Sequence, residues 1–181
     1  MHLKDFLPLF LASTSLAILP PRDAASIFST LSTLSTDLST LQSNLQTFQG
    51  GITSLGQALQ IQSQASQLIA DTSNSASAAS SSSPLDDAGS RSVAFKIISF
   101  SKQIYSVLDL LVGKHAAFEA TLPGSSALVK SDLIMLRNGT DDLAGKLTPK
   151  FVASVQKLAP LLVADIDFHF VRAIGAYSSS S

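Results

Sequence analysis

Apolar residues recur at alternating intervals of four and three along the first third of the chain. Between Asp23 and Gly50, seven of them fall on one face of a predicted helix: Ile27, Leu31, Leu34, Leu38, Leu41, Leu45 and Phe48. This spacing is typical of an amphipathic helix that buries a narrow apolar seam. The positions that flank the seam lack charge pairs, so we expect the helix to pack within the chain rather than to select a partner chain.

A second helix is predicted from near Ile52 towards Ser75. Its inward-facing positions include two polar residues, Gln62 and Ser66, among apolar ones: Ile52, Leu55, Leu59, Gln62, Ser66 and Ile69. The Ser-rich residues 73–84 follow, and their low complexity predicts a frayed helix end and a loop.

A third and a fourth helix follow the Ser-rich stretch. The third is predicted to begin at Asp86 or Asp87, because carboxylates favour a helix N-terminus, and to end at Leu122. The fourth is predicted to begin with Ser125 or Ser126 as its cap. One face of it carries Val129, Leu133, Leu136, Thr140, Leu143 and Leu147.

The last periodic segment begins at Pro149 and reaches about Tyr177. Pro160 lies inside it and is expected to kink or split the helix. Strand pairs are not indicated anywhere along the chain. Five amphipathic helices with mostly short connections predict an all-α fold, an antiparallel bundle of about five helices.

The composition suits one cysteine-free domain with few charges. Of 181 residues, 45% are apolar and 14% are charged, and 12 basic against 13 acidic residues leave a net charge of −1. This balance excludes a polycationic nucleic-acid binder, and the lack of cysteine excludes disulfides, thiolate metal sites and thiol catalysis. Serine is used 31 times, and Asp23 to Ser90 contain five Asp but no Lys, Arg or Glu. A weakly charged, Ser-rich chain of this kind suits a protein that works outside the cell or at a lipid boundary.

Residues 1–17, MHLKDFLPLFLASTSLA, have the features of a secretory signal peptide. A weakly positive start precedes a short apolar stretch, and Ser15 and Ala17 place small residues at the −3 and −1 positions of a cleavage site. The alternative is an apolar first helix, which Pro20-Pro21 would break. We therefore predict one secreted domain, residues 18–181. A membrane span is not expected, because no run reaches 18 uninterrupted apolar residues, and the terminal serines argue against a GPI anchor.

Candidate catalytic and metal sites are weak. Neither a G-x-S-x-G elbow, nor an H-E-x-x-H motif, nor a P-loop is present. Asp165 and His169 are one helical turn apart with Asp167 nearby, but they offer only two or three metal ligands. His115 with Asp109 or Glu119 and one of many serines resembles a triad only by coincidence. We predict a non-enzymatic protein without metal or cofactor.

Asn138-Gly139-Thr140 is an N-glycosylation sequon. Asn138 is predicted to lie on the face of its helix opposite Leu136, where a glycan has room. Thr140, however, is phased inward, and a sequon inside a helix is an awkward acceptor. Glycosylation and an unused sequon therefore remain alternatives.

Polar residues interrupt the predicted interior at Gln62, Ser66, Thr140 and His115. Each needs a hydrogen-bond partner if it is buried. One explanation is a bond to a nearby carbonyl or to water at a helix end. The other is the polar head of an apolar ligand that lies between the helices.

Several segments between Asp23 and Tyr177 carry a resemblance to a known family. They are the Leu-heptad helix ending in Gly50-Gly51, the Ser-rich break before Asp86-Asp87, V-L-D-L-L-V-G-K-H at 107–115, L-x-x-L-R-N-G-T-D-D-L at 133–143 and F-x-x-A-I-G-A-Y at 170–177. In order and spacing they resemble the fungal hydrophobic surface-binding protein A family, which includes cell-wall galactomannoprotein ligand-binding domains.

This resemblance implies an all-helical secreted domain with one of two activities. Members enclose a long-chain fatty acid in a central apolar tunnel, or adsorb to hydrophobic surfaces and help recruit polyester-degrading hydrolases. Galactomannoprotein members often continue into a Ser/Thr-rich stalk with an anchor signal, whereas this chain stops at Ser181, which puts GPI anchoring in doubt.

The hypothesis that follows is a secreted carrier with a central apolar cavity, extracellular or in the cell wall. The acyl chain is expected to contact eight apolar residues: Leu38, Leu45, Phe100, Ile104, Leu136, Leu162, Ile166 and Phe170. Gln62, Ser66 or Thr140 is expected to bind its polar head. Two alternatives remain, a surface-active adaptor that recruits a secreted hydrolase and a structural cell-wall mannoprotein without a ligand.

Overall fold

The computed structural model describes residues 22–178, and within that range every regular element is helical. The elements are α1 (Arg22–Thr47), a 3-10 turn (Ile52–Ser54), α2 (Leu55–Ser81), α3 (Asp87–Thr121), α4 (Ser125–Leu147), a second 3-10 turn (Thr148–Lys150), the short α5 (Ala153–Gln156) and α6 (Ala159–Ala176). The prediction of an all-α bundle with about five helices is confirmed. The proposed signal peptide, residues 1–17, lies outside the described residues.

The five long helices close into a ring. α1 packs against α2 and α3, α4 packs against α2 and α6, and α3 completes the circle by packing against α6. Consecutive long helices run in opposite directions because short turns connect them. Side-chain hydrogen bonds from Ser35 to Gln103 and from Gln42 to Ser106 join α1 to α3, which run in the same direction. A ring of this kind turns one face of every helix towards a shared centre.

The apolar seam of α1 is buried as predicted. All seven of its residues, including Phe48 just beyond the helix, are at most 4% exposed. Serine and threonine hydroxyls on the outer faces donate to the carbonyl four residues earlier, as Ser39 does to Ser35 at 2.9 Å and Ser43 to Ser39 at 3.0 Å. Such bonds satisfy the hydroxyls within the helix itself. Because serine and threonine have only modest helix propensity, tertiary packing of the apolar seam sustains α1.

α2 continues through most of the segment that the sequence predicts as a loop. It ends at Ser81, so residues 73–81 are helical and only residues 82–86 connect α2 to α3. Ser75, Ala76 and Ala79 are at most 2% exposed. Their small side chains let the helix pack closely against its neighbours, and tertiary burial outweighs the weak helix propensity of serine.

The buried face of α2 also differs from the prediction. Ile61, Leu68 and Thr72 are buried, whereas Ile52 is 84% exposed and Ser66 is exposed. The buried stripe lies one position before the predicted one. The reason is that α2 contacts both α1 and α4, and these two neighbours together set which face turns inward.

The N-termini of α3 and α4 are capped by carboxylates. Asp86 accepts a hydrogen bond from the Gly89 N–H at 2.7 Å, in line with the predicted start of α3. At α4 the predicted serine cap is wrong. The Glu119 carboxylate accepts from the Gly124 N–H at 3.0 Å and the Ser126 N–H at 2.7 Å, and so satisfies these donors from the end of α3.

We expect Glu119→Gln to lower the melting temperature in a pH-dependent way. Hydrogen bonds from the Ser126 side chain and from the Gly124 and Ser126 backbone lower the pKa of Glu119 from 4.5 to about 2. A depressed carboxylate pKa stabilises the fold above the unfolded value, and that contribution is lost as pH falls through the folded value. Thermal unfolding between pH 2 and pH 7 tests this. The difference between wild type and variant should be largest above pH 5 and shrink towards pH 2, and a difference that is constant with pH would contradict the assignment.

The last periodic segment is split, as the proline predicted. Pro149 lies in the second 3-10 turn, and Pro160 lies in the first turn of α6, where a helix tolerates the missing N–H. The short α5 fills the interval between them. The split lets α6 turn back along the ring between α3 and α4.

Candidate functional site

A cavity lies in the centre of the ring, with about 120 Å³ of open space. All five long helices contribute to its lining, which is apolar over most of its surface. The apolar lining residues include Leu34, Leu38, Leu41, Ala58, Ala65, Leu68, Phe100, Ile104, Leu108, Leu111, Leu133, Leu136, Leu143 and Phe170. The predicted central apolar cavity is therefore present. A mostly apolar cavity between helices is suited to accept an apolar molecule.

One end of the cavity opens to solvent through a mouth that we define by Leu55, Leu59, Leu122 and Leu128. These four residues line the cavity, yet they are 41%, 61%, 47% and 45% exposed. Ile52, which is more exposed still, precedes Leu55 by one helical turn. Exposed leucines around an apolar cavity give an apolar ligand a continuous path from the surface to the interior.

The other end of the cavity is closed. Phe100 and Leu143 line it and are at most 9% exposed. Thr72 and Thr140 also lie at this end, but their hydroxyls donate to the carbonyls of Leu68 and Leu136, four residues earlier, at 2.7 and 2.8 Å. Their donors are therefore used within their own helices, and only acceptor capacity remains.

The structure brings together five of the eight apolar residues that the sequence suggested as ligand contacts. Those that line the cavity are Leu38, Phe100, Ile104, Leu136 and Phe170. Leu45, Ile166 and Leu162 lie outside the lining. Leu45 and Ile166 are buried in the solid core, and Leu162 is half-buried against it. All eight lie on inward faces, but helical phase alone does not separate a cavity wall from a filled core.

The three suggested head-group residues are also separated. Gln62 and Thr140 line the cavity. Ser66 is exposed, and its hydroxyl donates to the Gln62 carbonyl oxygen at 3.1 Å, so it does not reach the cavity. The cause is the shift in the buried face of α2, which turns Ser66 towards solvent.

The sequence analysis missed Asp132, which lines the cavity and is only 7% exposed. Burial raises the pKa of its carboxyl group, and a hydrogen bond from the Gln62 side chain acts in the opposite direction. Its position offered a signal, because Asp132 follows Val129 by three residues and precedes Leu136 by four. An acidic residue in phase with an apolar stripe is a candidate for a buried polar group.

A second polar atom faces the cavity nearer the mouth. Ser125 lines the cavity and is 7% exposed, and within residues 22–178 its Oγ has no hydrogen-bond partner. It precedes Asp132 by seven residues, which is about 10 Å along α4. The half of the cavity next to the mouth thus holds three polar groups: Ser125 Oγ, the Gln62 amide and the Asp132 carboxylate.

The arrangement nearest to a catalytic one lies beside this mouth. His115 Nε2 is 2.8 Å from Ser126 Oγ, and Glu119 accepts from the Ser126 backbone and side chain. In a catalytic triad the carboxylate orients the imidazole. Here the carboxylate caps α4 through Ser126, which is a structural task.

The predicted helix pair Asp165 and His169 packs against α3. Tyr105 donates to Asp165 at 2.5 Å, and its ring stacks on His169 with centroids 4.1 Å apart. Among residues 22–178, groups of three or more His, Asp or Glu that could hold a metal ion are absent. In the same range, none of the helices is long and apolar enough to cross a membrane.

Asn138 is exposed on α4, and glycosylation there stays a prediction. The Thr140 hydroxyl of the sequon is turned into the cavity wall and bonded to Leu136.

Comparison with known proteins agrees with this fold. The sequence model of the family described as Hydrophobic surface binding protein A matches residues 24–149. A crystal structure of AFMP4P in complex with palmitic acid is 34% identical, with a TM-score of 0.80 over 85% of this chain and 99% of that one. No curated protein sequence is significantly similar to this chain.

Two further structures share the fold at lower identity. Ligand binding domain 1 of the Penicillium marneffei MP1 protein, complexed with arachidonic acids, is 16% identical with a TM-score of 0.78, and covers 86% of this chain and 99% of its own. Domain 2 of the same protein, complexed with multiple arachidonic acids, is 15% identical with a TM-score of 0.79, and covers 90% and 99%. The family match spans well over half of the sequence, so this chain belongs to the Hydrophobic surface binding protein A family.

Proposed function

We propose that this chain is a non-enzymatic lipid-binding protein that encloses the acyl chain of a long-chain fatty acid or a similar lipid between its helices. The observation that carries the proposal is the cavity, which five helices line with apolar side chains and which opens to solvent at one end. The complex of AFMP4P with palmitic acid supports it, since that protein is 34% identical to this chain over most of its length.

Burial of the acyl chain supplies the driving force. Each methylene transferred from water into the cavity contributes about 0.8 kcal/mol. Ordering the ligand and removing its freedom of movement offset part of this gain. The net affinity therefore depends on how many methylenes the cavity accepts.

A long acyl chain needs more room than this cavity offers. The open space of about 120 Å³ compares with the roughly 150 Å³ that accommodates benzene in an engineered cavity. Leucine dominates the lining, and its side chain can change rotamer at small cost. We infer that the chain enters by turning leucines aside and that the helices move apart as it does.

The polar atoms suggest an orientation for the ligand. Gln62, Ser125 and Asp132 lie in the half next to the mouth, whereas Phe100 and Leu143 close the other end. We propose that the head stays near the mouth, where Gln62 can bind it, and that the acyl chain points towards the closed end. Asp132 to Leu143 spans about 17 Å along α4.

The proposal includes an extracellular location. Residues 1–17 have the pattern of a signal peptide, and the low charge and Ser-rich surface suit secretion. Asn138 is exposed and could carry a glycan on the secreted product. Attachment to the cell wall is a finer alternative within the same proposal.

A surface-active adaptor is the second candidate function, and the mouth favours it. Ile52 and the four mouth leucines form an exposed apolar group that could adsorb to a hydrophobic surface. In that case the protein would partition onto oil or polymer, and a secreted hydrolase would follow it there.

Native mass spectrometry of the secreted protein tests the main proposal. The protein would then be delipidated and titrated with palmitate and with longer unsaturated acids. We expect a discrete adduct that saturates at one or two lipids per chain. Depletion by hydrophobic beads without any adduct would favour the adaptor. If neither an adduct nor depletion occurred, a structural wall protein would remain.

We expect Leu136→Ala to weaken acyl-chain binding about five- to thirtyfold, because the variant removes roughly 1–2 kcal/mol of contact with the ligand. Leu136 is one of the lining residues that the sequence also suggested. Titration calorimetry of delipidated protein measures the change.

Leu45→Ala is the matched control for this variant. It makes the same substitution at a fully buried position outside the lining. We expect it to lower stability by about 2–5 kcal/mol with little effect on the affinity of the folded protein. If both variants changed affinity equally, the lining would not be the binding surface.

A further inference from the structure

Asp132 is the one ionisable side chain among the residues that line the cavity in the described range 22–178. The lining contributed by α1, α2, α3 and α6 holds no charged group that could neutralise it. The hydrogen bond from Gln62 satisfies part of its acceptor capacity. A carboxylate accepts about four hydrogen bonds, so capacity remains for a donor in the cavity.

An isolated carboxylate in an apolar wall is costly for stability. Burying such a charge without a counter-charge lowers the stability of the fold, and replacing it by an apolar residue often stabilises a protein. Ser125 adds an unpartnered buried hydroxyl on the same face of α4, two turns nearer the mouth. A buried polar atom without a partner calls for an explanation, and a polar head group bound beside it would supply one.

We propose that Asp132 selects the head group of the ligand, and that the cavity prefers long-chain lipids whose head donates a hydrogen bond, such as an alcohol or a protonated carboxyl group, over an ionised carboxylate. This inference rests on the proposed lipid binding. Asp132 accepts the O–H of the head, while the acyl chain runs away from the mouth towards Phe100.

Charge repulsion is the basis of the selection. Two carboxylates in contact within an apolar cavity cannot both stay ionised. A fatty acid that reaches Asp132 must therefore share one proton with it. At a pH above the pKa of the free acid, that proton has to be taken up from water. A long-chain alcohol carries its own proton and needs no uptake. The raised pKa of Asp132 is consistent with this, because the same burial that disfavours one charge disfavours a second.

The test compares 1-hexadecanol with palmitate at pH 8, each displacing the neutral dye Nile red from the delipidated secreted protein. The two lipids differ in water solubility, so the diagnostic quantity is the ratio of their affinities in wild type divided by the ratio in a variant. Asp132→Asn removes the charge and keeps the shape. We expect it to strengthen palmitate binding relative to hexadecanol by about tenfold or more, because it removes a like-charge contact.

Asp142→Asn is the matched control. Asp142 lies on the same helix, is exposed and pairs with Lys146 on the surface, so its neutralisation changes the net charge equally without touching the cavity. We expect an unchanged ratio. Asp132→Leu is a second variant that keeps the test valid if Asp132→Asn does not fold. It should also lose the preference for the alcohol.

The outcomes separate this inference from the function on which it rests. If palmitate and hexadecanol both bind, and both Asp132 variants leave their ratio as in wild type, head-group selection by Asp132 is wrong while lipid binding stands. If neither lipid displaces the dye or forms an adduct, both ideas fail. A ratio that shifts equally in the Asp142 variant would mean a general charge effect and would overturn the inference.

Discussion

Replacing Ala65 with phenylalanine is expected to weaken lipid binding about a hundredfold while the protein remains folded. Ala65 lies on α2 and lines the cavity between Gln62 and Leu68. A phenyl ring projecting from it would fill most of the 120 Å³ of open space. Exclusion of about four methylenes costs the ligand roughly 3 kcal/mol, which corresponds to about a hundredfold loss of affinity. Saturation binding of palmitate to delipidated protein measures this.

Ala70→Phe is the control for this variant. Ala70 is exposed on the same helix, so the same residue is introduced without entering the cavity. We expect wild-type affinity in this variant and a native circular dichroism spectrum in both. Retention of full affinity by Ala65→Phe would mean that the ligand lies elsewhere on the protein.

The largest effect on stability is expected from Phe48→Ala. Phe48 is fully buried just after α1, and its ring lies 4.6 Å from that of Phe118 on α3. Truncating a buried phenylalanine costs about 3–5 kcal/mol, to which the aromatic contact adds. Domains of this size are stable by only about 5–15 kcal/mol, so a large part of the total is lost. Urea denaturation of the delipidated protein measures the change.

Phe28→Ala makes the same substitution near the start of α1. Phe28 is 41% exposed, and Lys96 lies over its ring at 5.6 Å. We expect a loss below about 1 kcal/mol, since little area is uncovered and an exposed cation–π contact is weak. Equal losses in the two variants would contradict the placement of Phe48 in the solid core.

The seam of α1 thus serves two purposes along one helix. Leu34, Leu38 and Leu41 line the cavity, whereas Leu45 and Phe48 pack in the solid core near the mouth. Stability and ligand binding are therefore expected to separate along α1. Truncations towards Phe48 should mainly destabilise the fold, and those around Leu38 should mainly affect the ligand.

Local sequence signals were sufficient for much of the fold. The alternating intervals of four and three residues located the buried face of α1, because a regular helix repeats every 3.6 residues whatever it packs against. Asp86 marked the start of α3, and Pro160 marked the break before α6. Both signals are local, because helix capping and the missing N–H of proline act within a few residues. These features depend on neighbours in the chain.

Other features depended on helices far away in sequence. Residues 73–81 are helical because Ser75, Ala76 and Ala79 are buried on the inward face of α2, and the packing of α2 against α1 and α4 sets which face that is. Local propensity is too weak to resist packing of this extent. For the same reason Ser66 faces solvent while Gln62 faces the cavity.

The boundary of the cavity was the feature that was hardest to predict from the sequence. An apolar pattern indicates which side chains leave water, but a filled core and a cavity wall are equally apolar. Only the order of helices around the ring decided that Leu136 borders open space and Leu45 does not. Amphipathic period and capping are properties of one helix, whereas the space between helices is a property of all five.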